Sequence, residues 1–238
     1  MAMATSATCI VVVLLMLMAP ALGHKSPVGP LWHDFYSSSC PKAEEVIRNI
    51  LKEIIFNDPT MGAAFLKLFF VDCFIRDCDA SVLLDSTNTT YTEKYSLGMA
   101  TRAIDHVNTV KAAVEAICPG VVSCADIIAL AARDSVAISG GFSMAMPTGR
   151  RDGLFSHDVD VSDELPDQTN HVQELIDNFA ANNLNVDDLV ALSGVHSFGT
   201  AACSSFWWGR LYPKTDPTMN ATLAGRLKMR CPGWDRSS

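Results

Sequence analysis

The stretch FLKLFFVDCFIRDCDASVLLD, residues Phe65–Asp85, combines a helical half with a charged half. Its first half is apolar except for Lys67, which is typical of a buried helix. Its second half places two cysteines beside side chains with hard oxygen atoms, and calcium takes six to eight such ligands. The oxygen-bearing residues are Asp72, Asp77, Asp79 and Ser81. The pattern indicates a cation site without EF-hand spacing, and a solvated acidic loop is the alternative interpretation.

Composition sets the class of protein. The chain has 238 residues, of which 49% are hydrophobic and 18% charged, so it is long enough for one sizeable globular domain and too apolar to be disordered. Its formal net charge of −8 argues against a nucleic-acid or anionic-membrane partner.

The N-terminus has the pattern of a signal peptide. Cys9–Ala19 is an uninterrupted apolar run, shorter than a bilayer span, and small residues before His24 offer a cleavage site. A buried helix is the alternative. We therefore expect residues 1–23 to be a signal peptide, residues 24–238 to be the mature domain, and the mature protein to be secreted without a membrane anchor.

Secretion determines how the remaining cysteines are interpreted. Seven lie after the signal segment, and in an oxidising compartment they are expected to form disulfides. The close pair Cys73 and Cys78 fits a small loop bridge better than half of a zinc site. Since seven is odd, one thiol lacks a partner in the chain. Two sequons, at Asn88 and Asn220, fit a secreted glycoprotein.

Hydrophobic periodicity predicts helices along the whole mature chain. No stretch alternates long enough to predict a substantial sheet, so the sequence predicts a single all-α domain. Pro41 suits the first turn of the first helix, within residues 41–58. The other predicted helices are Met61–Phe74, Ile104–Ile117, Cys124–Ile138, Val172–Ala181 and Val186–Leu192.

His196 is the other candidate functional residue. It follows a predicted helix and a Ser-Gly break, between Val195 and Phe198. A lone histidine among apolar residues is more often a hydrogen-bonded core residue than a metal or haem ligand. By itself, His196 indicates a ligand only weakly.

Taken together, the motifs resemble those of the class III secretory plant peroxidases, an all-α haem-binding family. The matching segments occur in order and cover nearly all of the mature chain: FYSSSCP (35–41), DCF and CDASVLL (72–84), CPGVVSCADI (118–127), AARDSV (131–136), GRRDG (149–153), DLVALSG with His196 and FG (188–199), and RLY with DPTMN (210–220). The resemblance implies a haem peroxidase-like helical domain.

The resemblance implies roles for individual residues. His196 would be the axial ligand of haem b, as is usual in peroxidases. Ser197 would begin a second calcium site, and the carbonyl of Pro166 would border the channel for reducing substrates. The first calcium site would use the side chains of Asp72, Asp79 and Ser81, the carbonyls of Ile75 and Asp77, and Glu93 through water. Asp77 replaces a family glycine. The implied bridges are Cys40–Cys118, Cys73–Cys78 and Cys203–Cys231, which leaves Cys124 unpaired.

Two catalytic positions depart from the family pattern. The family helix reads R-L-x-F-H-D-C-F, but here Lys67 replaces the arginine and Val71 replaces the distal histidine. The asparagine that supports that histidine is also absent from residues 94–102. Because these residues act together on peroxide, we expect weak or absent turnover.

The family pattern also continues beyond Cys231-Pro232, whereas this sequence ends at Ser238. We therefore expect the C-terminal helices of the family to be missing. They would carry the aspartate that supports the axial histidine, the rest of the second calcium site and the partner of Cys124.

Three functional hypotheses follow from this pattern. The first is a secretory peroxidase family protein that reduces hydrogen peroxide and oxidises small phenolic donors, with impaired catalysis. The second is a non-catalytic, calcium-stabilised helical scaffold or binding protein. The third is an incomplete product without a stable fold. An extracellular or cell-wall location and a monomeric state are expected.

Overall fold

The computed structural model describes residues 30–97 and 102–233. The predicted signal peptide, residues 1–23, lies outside the described residues, as does part of the segment in which the asparagine is absent. No helix in the described part of the chain is long and apolar enough to cross a membrane.

The described chain is helical, as the sequence predicts. Residues 30–97 and 102–233 contain no β-strand, and isolated bridges join only Trp32 to Thr148 and Trp208 to Tyr212. The α-helices are α1 (Ala43–Asn57), α2 (Met61–Arg76), α3 (Glu93–Leu97), α4 (Ile104–Ile117), α5 (Cys124–Ile138), α6 (Val159–Glu164), α7 (Val172–Ala181), α8 (Val186–Gly194) and α9 (Ala221–Arg230). Short 3₁₀ or π turns cover Ser81–Leu83, Val195–Ser197, Cys203–Ser205 and Trp207–Leu211.

Six helices were predicted, and three of them have the predicted bounds: α4, α5 and α7. Helices α2 and α8 each continue two residues past the predicted ends. Pro41 lies in a turn before α1, not in its first helical turn. The helices α3, α6 and α9 were not predicted. The first two have five and six residues, which are too few to show a hydrophobic periodicity.

Helix α5 is the centre of the core. Every side chain from Ala125 to Ser135 is buried, and α5 packs against α1, α2 and α4. Its many alanines allow these neighbours to approach closely. Ser123 caps the helix by accepting the Asp126 N–H at 3.1 Å, which satisfies one unpaired donor of the first turn.

The buried carboxylate of Asp126 ties distant segments to the start of α5. It accepts hydrogen bonds from the Tyr36 hydroxyl at 2.6 Å, the Gly149 N–H at 2.7 Å and the Arg150 guanidinium at 3.0 Å. Burial and the neighbouring Asp126 carboxylate raise the pKa of Tyr36. This anchor fixes the loop that runs on to Gly153, beside the acidic loop.

The three predicted disulfides are confirmed. Cys40–Cys118 joins the N-terminal loop to the end of α4, Cys73–Cys78 closes the acidic loop, and Cys203–Cys231 closes a C-terminal segment. Among the residues that the structure describes, Cys124 forms no disulfide. We call residues 203–233 the C-terminal lobe, because Leu211, Ala224 and Cys231 form a small core of their own there.

Candidate functional site

Helix α2 carries Lys67 and Val71, the two residues at which the sequence analysis predicts a departure from the family's catalytic pattern. Val71 is 4% exposed and belongs to the main hydrophobic core. Lys67, one turn earlier, is exposed. An aliphatic side chain in the core can neither accept nor return a proton, so position 71 offers no acid–base group.

The acidic loop begins where α2 ends. Asp77, Cys78 and Ala80 have positive φ values of 59°, 63° and 61°. Asp77 thus adopts the left-handed conformation for which a glycine is usual, and aspartate is among the residues that tolerate it best. The backbone turn therefore forms without the family glycine.

Four of the predicted ligand side chains lie in this loop or beside it: Asp72, Asp79, Ser81 and Glu93. Asp72 accepts the Ala80 N–H at 3.0 Å, and Asp79 accepts the Ser81 N–H at 3.0 Å. The Ser81 hydroxyl donates to the Glu93 carboxylate at 3.2 Å. Asp72, Asp79 and Glu93 are all buried, so the interpretation of this segment as a solvated acidic loop was wrong.

Two oxygens in this cluster lack hydrogen bonds. Asp72 Oδ1 is buried without a hydrogen-bond partner, and so is Glu93 Oε1, although the Arg76 Nε lies 3.3 Å from the latter. Burial raises the pKa of Asp72 from 3.8 to about 8, helped by the charges of Asp79 and Glu93. Burial likewise raises the pKa of Glu93 from 4.5 to about 7. A cation would relieve the cost of ionising these carboxylates together.

The donor set suits calcium better than a transition metal. Within residues 30–97 and 102–233, no three Asp, Glu, His or Cys side chains converge on one metal position. The predicted set instead combines two carboxylates and a hydroxyl with the carbonyls of Ile75 and Asp77. Ile75 lies in the last turn of α2, where carbonyls have no partner within the helix. Oxygen ligands of this mixed kind are those that calcium takes.

Two supporting contacts come from segments far away in sequence. Arg76 lies between Glu93 and Asp160, and its Nε is 2.8 Å from Asp160 Oδ2. The Gly153 N–H donates to the Asp79 carbonyl at 2.7 Å. A Cβ on Gly153 would overlap the Asp79 carboxylate. Glycine is therefore required here for close approach.

These supporting residues were missed by the sequence analysis. Arg76 lies inside the quoted stretch, and its position among four acidic residues was a signal. Nothing in the sequence linked Asp160, 84 residues away, to this loop.

His196 lies in a different environment. It is exposed in the short turn after α8, and its Nδ1 is 3.3 Å from the Ser193 carbonyl oxygen. The alternative of a buried core histidine was therefore wrong. The neighbouring Ser197 hydroxyl donates to the Gly194 carbonyl at 2.8 Å. Among the described residues, no carboxylate forms a hydrogen bond or ion pair with the imidazole ring.

The segment after His196 packs on the first turn of α2. A Cβ on Gly62 would lie 3.1 Å from the Phe198 ring, and one on Gly199 would lie 2.6 Å from Ala63. The small residues thus allow the two elements to touch. The axial-ligand candidate and the helix of Lys67 and Val71 are therefore on adjacent elements.

Comparisons with known proteins agree with the geometry. The family model described as Peroxidase matches residues 47–238. Peroxidase 64 of Arabidopsis thaliana is 44% identical over 83% of this chain and 64% of its own length. The cationic peroxidase SPC4 of Sorghum bicolor is 44% identical over 88% of this chain and 60% of its own length. The chain belongs to the plant peroxidase family.

For a peroxidase, the match is partial in length. Peroxidase 12 of Arabidopsis thaliana, at 46% identity, is covered over 58% of its length. This chain thus spans about three fifths of the curated peroxidases that it matches. Pro166 lies partly buried in the loop after α6, and its role beside a substrate channel stays a prediction.

Proposed function

We propose that this chain is a secreted peroxidase family protein whose capacity to reduce hydrogen peroxide is weak. The observation that carries the proposal is Val71, buried in α2 at the position where the family has its acid–base histidine. The ancestral reaction couples hydrogen peroxide reduction to the oxidation of small phenolic donors. The three disulfides support an extracellular or cell-wall location.

The expected loss of rate follows from proton transfer. Peroxide cleavage needs a base that takes a proton from one oxygen and returns it to the departing oxygen. Positioned acid–base groups commonly contribute about 10²–10⁴-fold. Lys67 keeps a positive charge but lacks the planar fork of donors of arginine. Loss of such a donor costs on the order of 10²–10³-fold.

His196 is the residue that would hold haem b. The Ser193 carbonyl faces Nδ1, and when that nitrogen carries the proton, Nε2 would be available to the iron. Bound haem supplies the redox chemistry. A carbonyl partner makes the imidazole a weaker ligand than a carboxylate partner does. This second difference also favours low activity.

The acidic loop fits calcium. The buried, unpaired Asp72 oxygen and the raised pKa values of Asp72 and Glu93 support the site. Asp72, Asp79 and Ser81 would supply side-chain oxygens, and Ile75 and Asp77 would supply carbonyls. Ser197 would contribute to a second site.

The proposal is tested by titrating the purified mature chain with haem while following the Soret absorbance. The expected result is a shifted Soret band that is lost in His196→Ala, together with slow peroxide turnover. Turnover at the ordinary rate of the family would contradict the impairment. A Soret band unchanged in His196→Ala would contradict axial ligation.

A second candidate function is a non-catalytic, calcium-stabilised scaffold. The ligand cluster and all three disulfides persist beside Lys67 and Val71, and this favours a scaffold retained without its catalysis. A haem-free, monomeric protein with a cooperative, calcium-dependent melting transition supports it. An unfolded circular dichroism spectrum in calcium would refute both candidates.

A further inference from the structure

Two tyrosines lie side by side on the surface, next to the acidic loop. Tyr91 precedes α3 and Tyr95 lies within it. Their ring centroids are 4.6 Å apart, with the ring planes inclined at 30°, which is close contact for an aromatic pair. We call Tyr91 and Tyr95 the tyrosine pair. Two phenol rings are thus in contact at one point on the surface of the chain.

Solvent reaches both rings of the tyrosine pair. Tyr91 is 56% exposed and Tyr95 is 64% exposed, so each ring leaves most of its surface in water. The hydrophobic effect stabilises a fold through the apolar area that is removed from water, and this pair removes little. The rings therefore contribute little to the core, and they are open to a small molecule from solution.

The backbone that carries the tyrosine pair is fixed at several points. The Tyr91 carbonyl accepts the Asp158 N–H at 3.2 Å, and the Tyr95 N–H donates to the Thr92 carbonyl at 3.0 Å. The Thr92 hydroxyl donates in turn to the Leu84 carbonyl at 2.8 Å. The two rings are therefore held near each other before any reaction begins. Holding two reacting groups in position lowers the entropic part of a reaction barrier.

The other two of the four tyrosines in the chain lack this arrangement. Tyr36 is 4% exposed and its hydroxyl donates to the Asp126 carboxylate at 2.6 Å, so a molecule in solution does not reach its ring. Tyr212 is half-buried and packs against Trp207, with ring centroids 5.3 Å apart. Within the described part of the chain, neither of these rings contacts a second tyrosine. A reaction that needs two neighbouring phenols therefore has one site there.

We propose that the tyrosine pair is an oxidation site, which reduces phenoxyl radicals of small phenols and becomes a dityrosine cross-link. One phenoxyl radical takes a hydrogen atom from the Tyr91 hydroxyl and leaves as the phenol, and a second radical does the same at Tyr95. The two tyrosyl radicals then join through a carbon–carbon bond between their ortho positions. The hydrogen on each of those carbons moves to the phenolic oxygen of the same ring. In total, the pair loses two hydrogen atoms, and two phenoxyl radicals are reduced to two phenols.

The oxidant in this reaction comes from outside the chain. Phenoxyl radicals are the one-electron oxidation products of phenols, and a separate enzyme that oxidises phenols supplies them. No step uses His196, haem or the calcium ligands. The inference therefore goes beyond peroxide reduction, because it makes the chain a target of radicals whether or not the chain turns over peroxide itself.

The pair favours coupling within one chain over coupling between chains. The second ring of the same chain is already at contact distance, whereas a ring on another chain has to be met by diffusion. A tethered partner at short range has a high effective concentration, so at low concentrations of the chain the internal reaction is faster. The cross-link is therefore expected in the monomer.

The test exposes the purified mature chain to phenoxyl radicals, which an active plant peroxidase produces from ferulate and hydrogen peroxide. Dityrosine fluorescence follows the reaction, and mass spectrometry maps the product after reduction of the disulfides and enzymatic removal of N-glycans. Trypsin cleaves after Lys94, which separates Tyr91 from Tyr95. The expected product is a joined pair of peptides, residues 77–94 and 95–102, lighter by two hydrogen atoms than the sum of the two.

Substitutions assign the product to the tyrosine pair. Tyr91→Phe and Tyr95→Phe each keep an aromatic ring but remove a phenol, so each variant is expected to lose the joined peptides and the dityrosine fluorescence. Tyr212→Phe is the matched control, because it removes a phenol outside the pair, and it is expected to retain both signals. Dilution of the chain should leave the yield per chain unchanged, since an intramolecular reaction does not depend on chain concentration.

Four outcomes would overturn the proposal. These are the absence of dityrosine in the parent chain, joined peptides in Tyr91→Phe or Tyr95→Phe, a product found only in covalent dimers, and addition of ferulate to the rings in place of the ring–ring bond. Circular dichroism that matches the parent shows that each variant is folded. Because a separate enzyme makes the radicals, none of these outcomes bears on peroxide reduction by this chain.

Discussion

The acidic loop after α2 and the His196 segment after α8 both follow the end of a helix, yet they are held differently. The loop is tied to distant parts of the chain through Gly153 and Asp160, and its Asp72 and Asp79 carboxylates are buried. The hydrogen bonds of His196 and Ser197 reach only three residues back, and both side chains are exposed.

This difference separates the two candidate ligand sites. Buried carboxylates are costly unless a cation or proton neutralises them, so the loop couples ligand binding to the stability of the fold. An exposed histidine costs nothing when it has no ligand. The loop should therefore determine stability, while His196 should determine only what the protein binds.

Calcium removal gives the largest expected effect and tests the stabilising half of the comparison. Ligand at about 1,000 times its Kd stabilises a fold by about 4 kcal/mol, which corresponds to a rise in Tm of roughly 8–16 °C in a domain of this size. We expect Tm in calcium to exceed Tm in EDTA by that amount when both are measured by differential scanning calorimetry. In Asp79→Asn, the two Tm values should be the same. Equal Tm values in calcium and EDTA would contradict the site.

The pH dependence of the calcium-free protein sharpens the same point. The folded pKa values of Asp72 and Glu93 are raised to about 8 and about 7 from 3.8 and 4.5, so the folded state binds more protons between these values. In EDTA, the free energy of unfolding should therefore be larger at pH 4 and fall as the pH rises toward 8. Calcium should reduce this slope, and urea unfolding at several pH values measures it. An unfolding free energy in EDTA that increases between pH 4 and pH 8 would contradict this prediction.

Arg76 tests the long-range contacts of the loop. Arg76→Gln leaves Glu93 buried without its nearby cation, and the expected cost is about 2–3 kcal/mol in the unfolding free energy. Arg102→Gln is the matched control, because it breaks the exposed ion pair with Asp58, which is worth at most about 1 kcal/mol. Urea denaturation of both variants measures the difference. Equal losses of unfolding free energy would show that burial around Arg76 does not strengthen its ion pairs.

His196 gives the smallest expected change in stability. His196→Ala, at an exposed position with one local hydrogen bond, should change the unfolding free energy of the haem-free protein by less than about 0.5 kcal/mol. The same denaturation assay checks it. A loss similar to that of Arg76→Gln would remove the distinction between the two regions.

Much of the fold could be predicted from local pattern. The bounds of α4 and α5 follow from apolar periodicity that ends at Cys118-Pro119-Gly120 and at Gly140-Gly141. Helices α3 and α6 could not be predicted, because their few residues are held by packing on each other and on the acidic loop and not by periodicity of their own. Helix α9 depends similarly on the disulfide and small core of the lobe.

Part of the candidate site could likewise be predicted from local sequence, and part of it could not. The ligands within Asp72–Ser81 could be predicted, because a turn after a helix brings nearby residues together. Asp160 and Gly153 could not, because the packing of α3 and α6 brings Asp160 to the loop and the Asp126 anchor positions the segment that carries Gly153.

The sequence by itself determined the helical class, the family, the cysteine pairs implied by that family, and the identities of Lys67 and Val71, on which the proposed loss of catalysis rests. These are matters of residue identity and short-range order, which the chain encodes locally. Only the tertiary structure decided that the acidic loop is buried while His196 is exposed, and that Arg76 lies between Glu93 and Asp160. Burial and charge pairing arise between segments far apart in the chain, so no local pattern contains them.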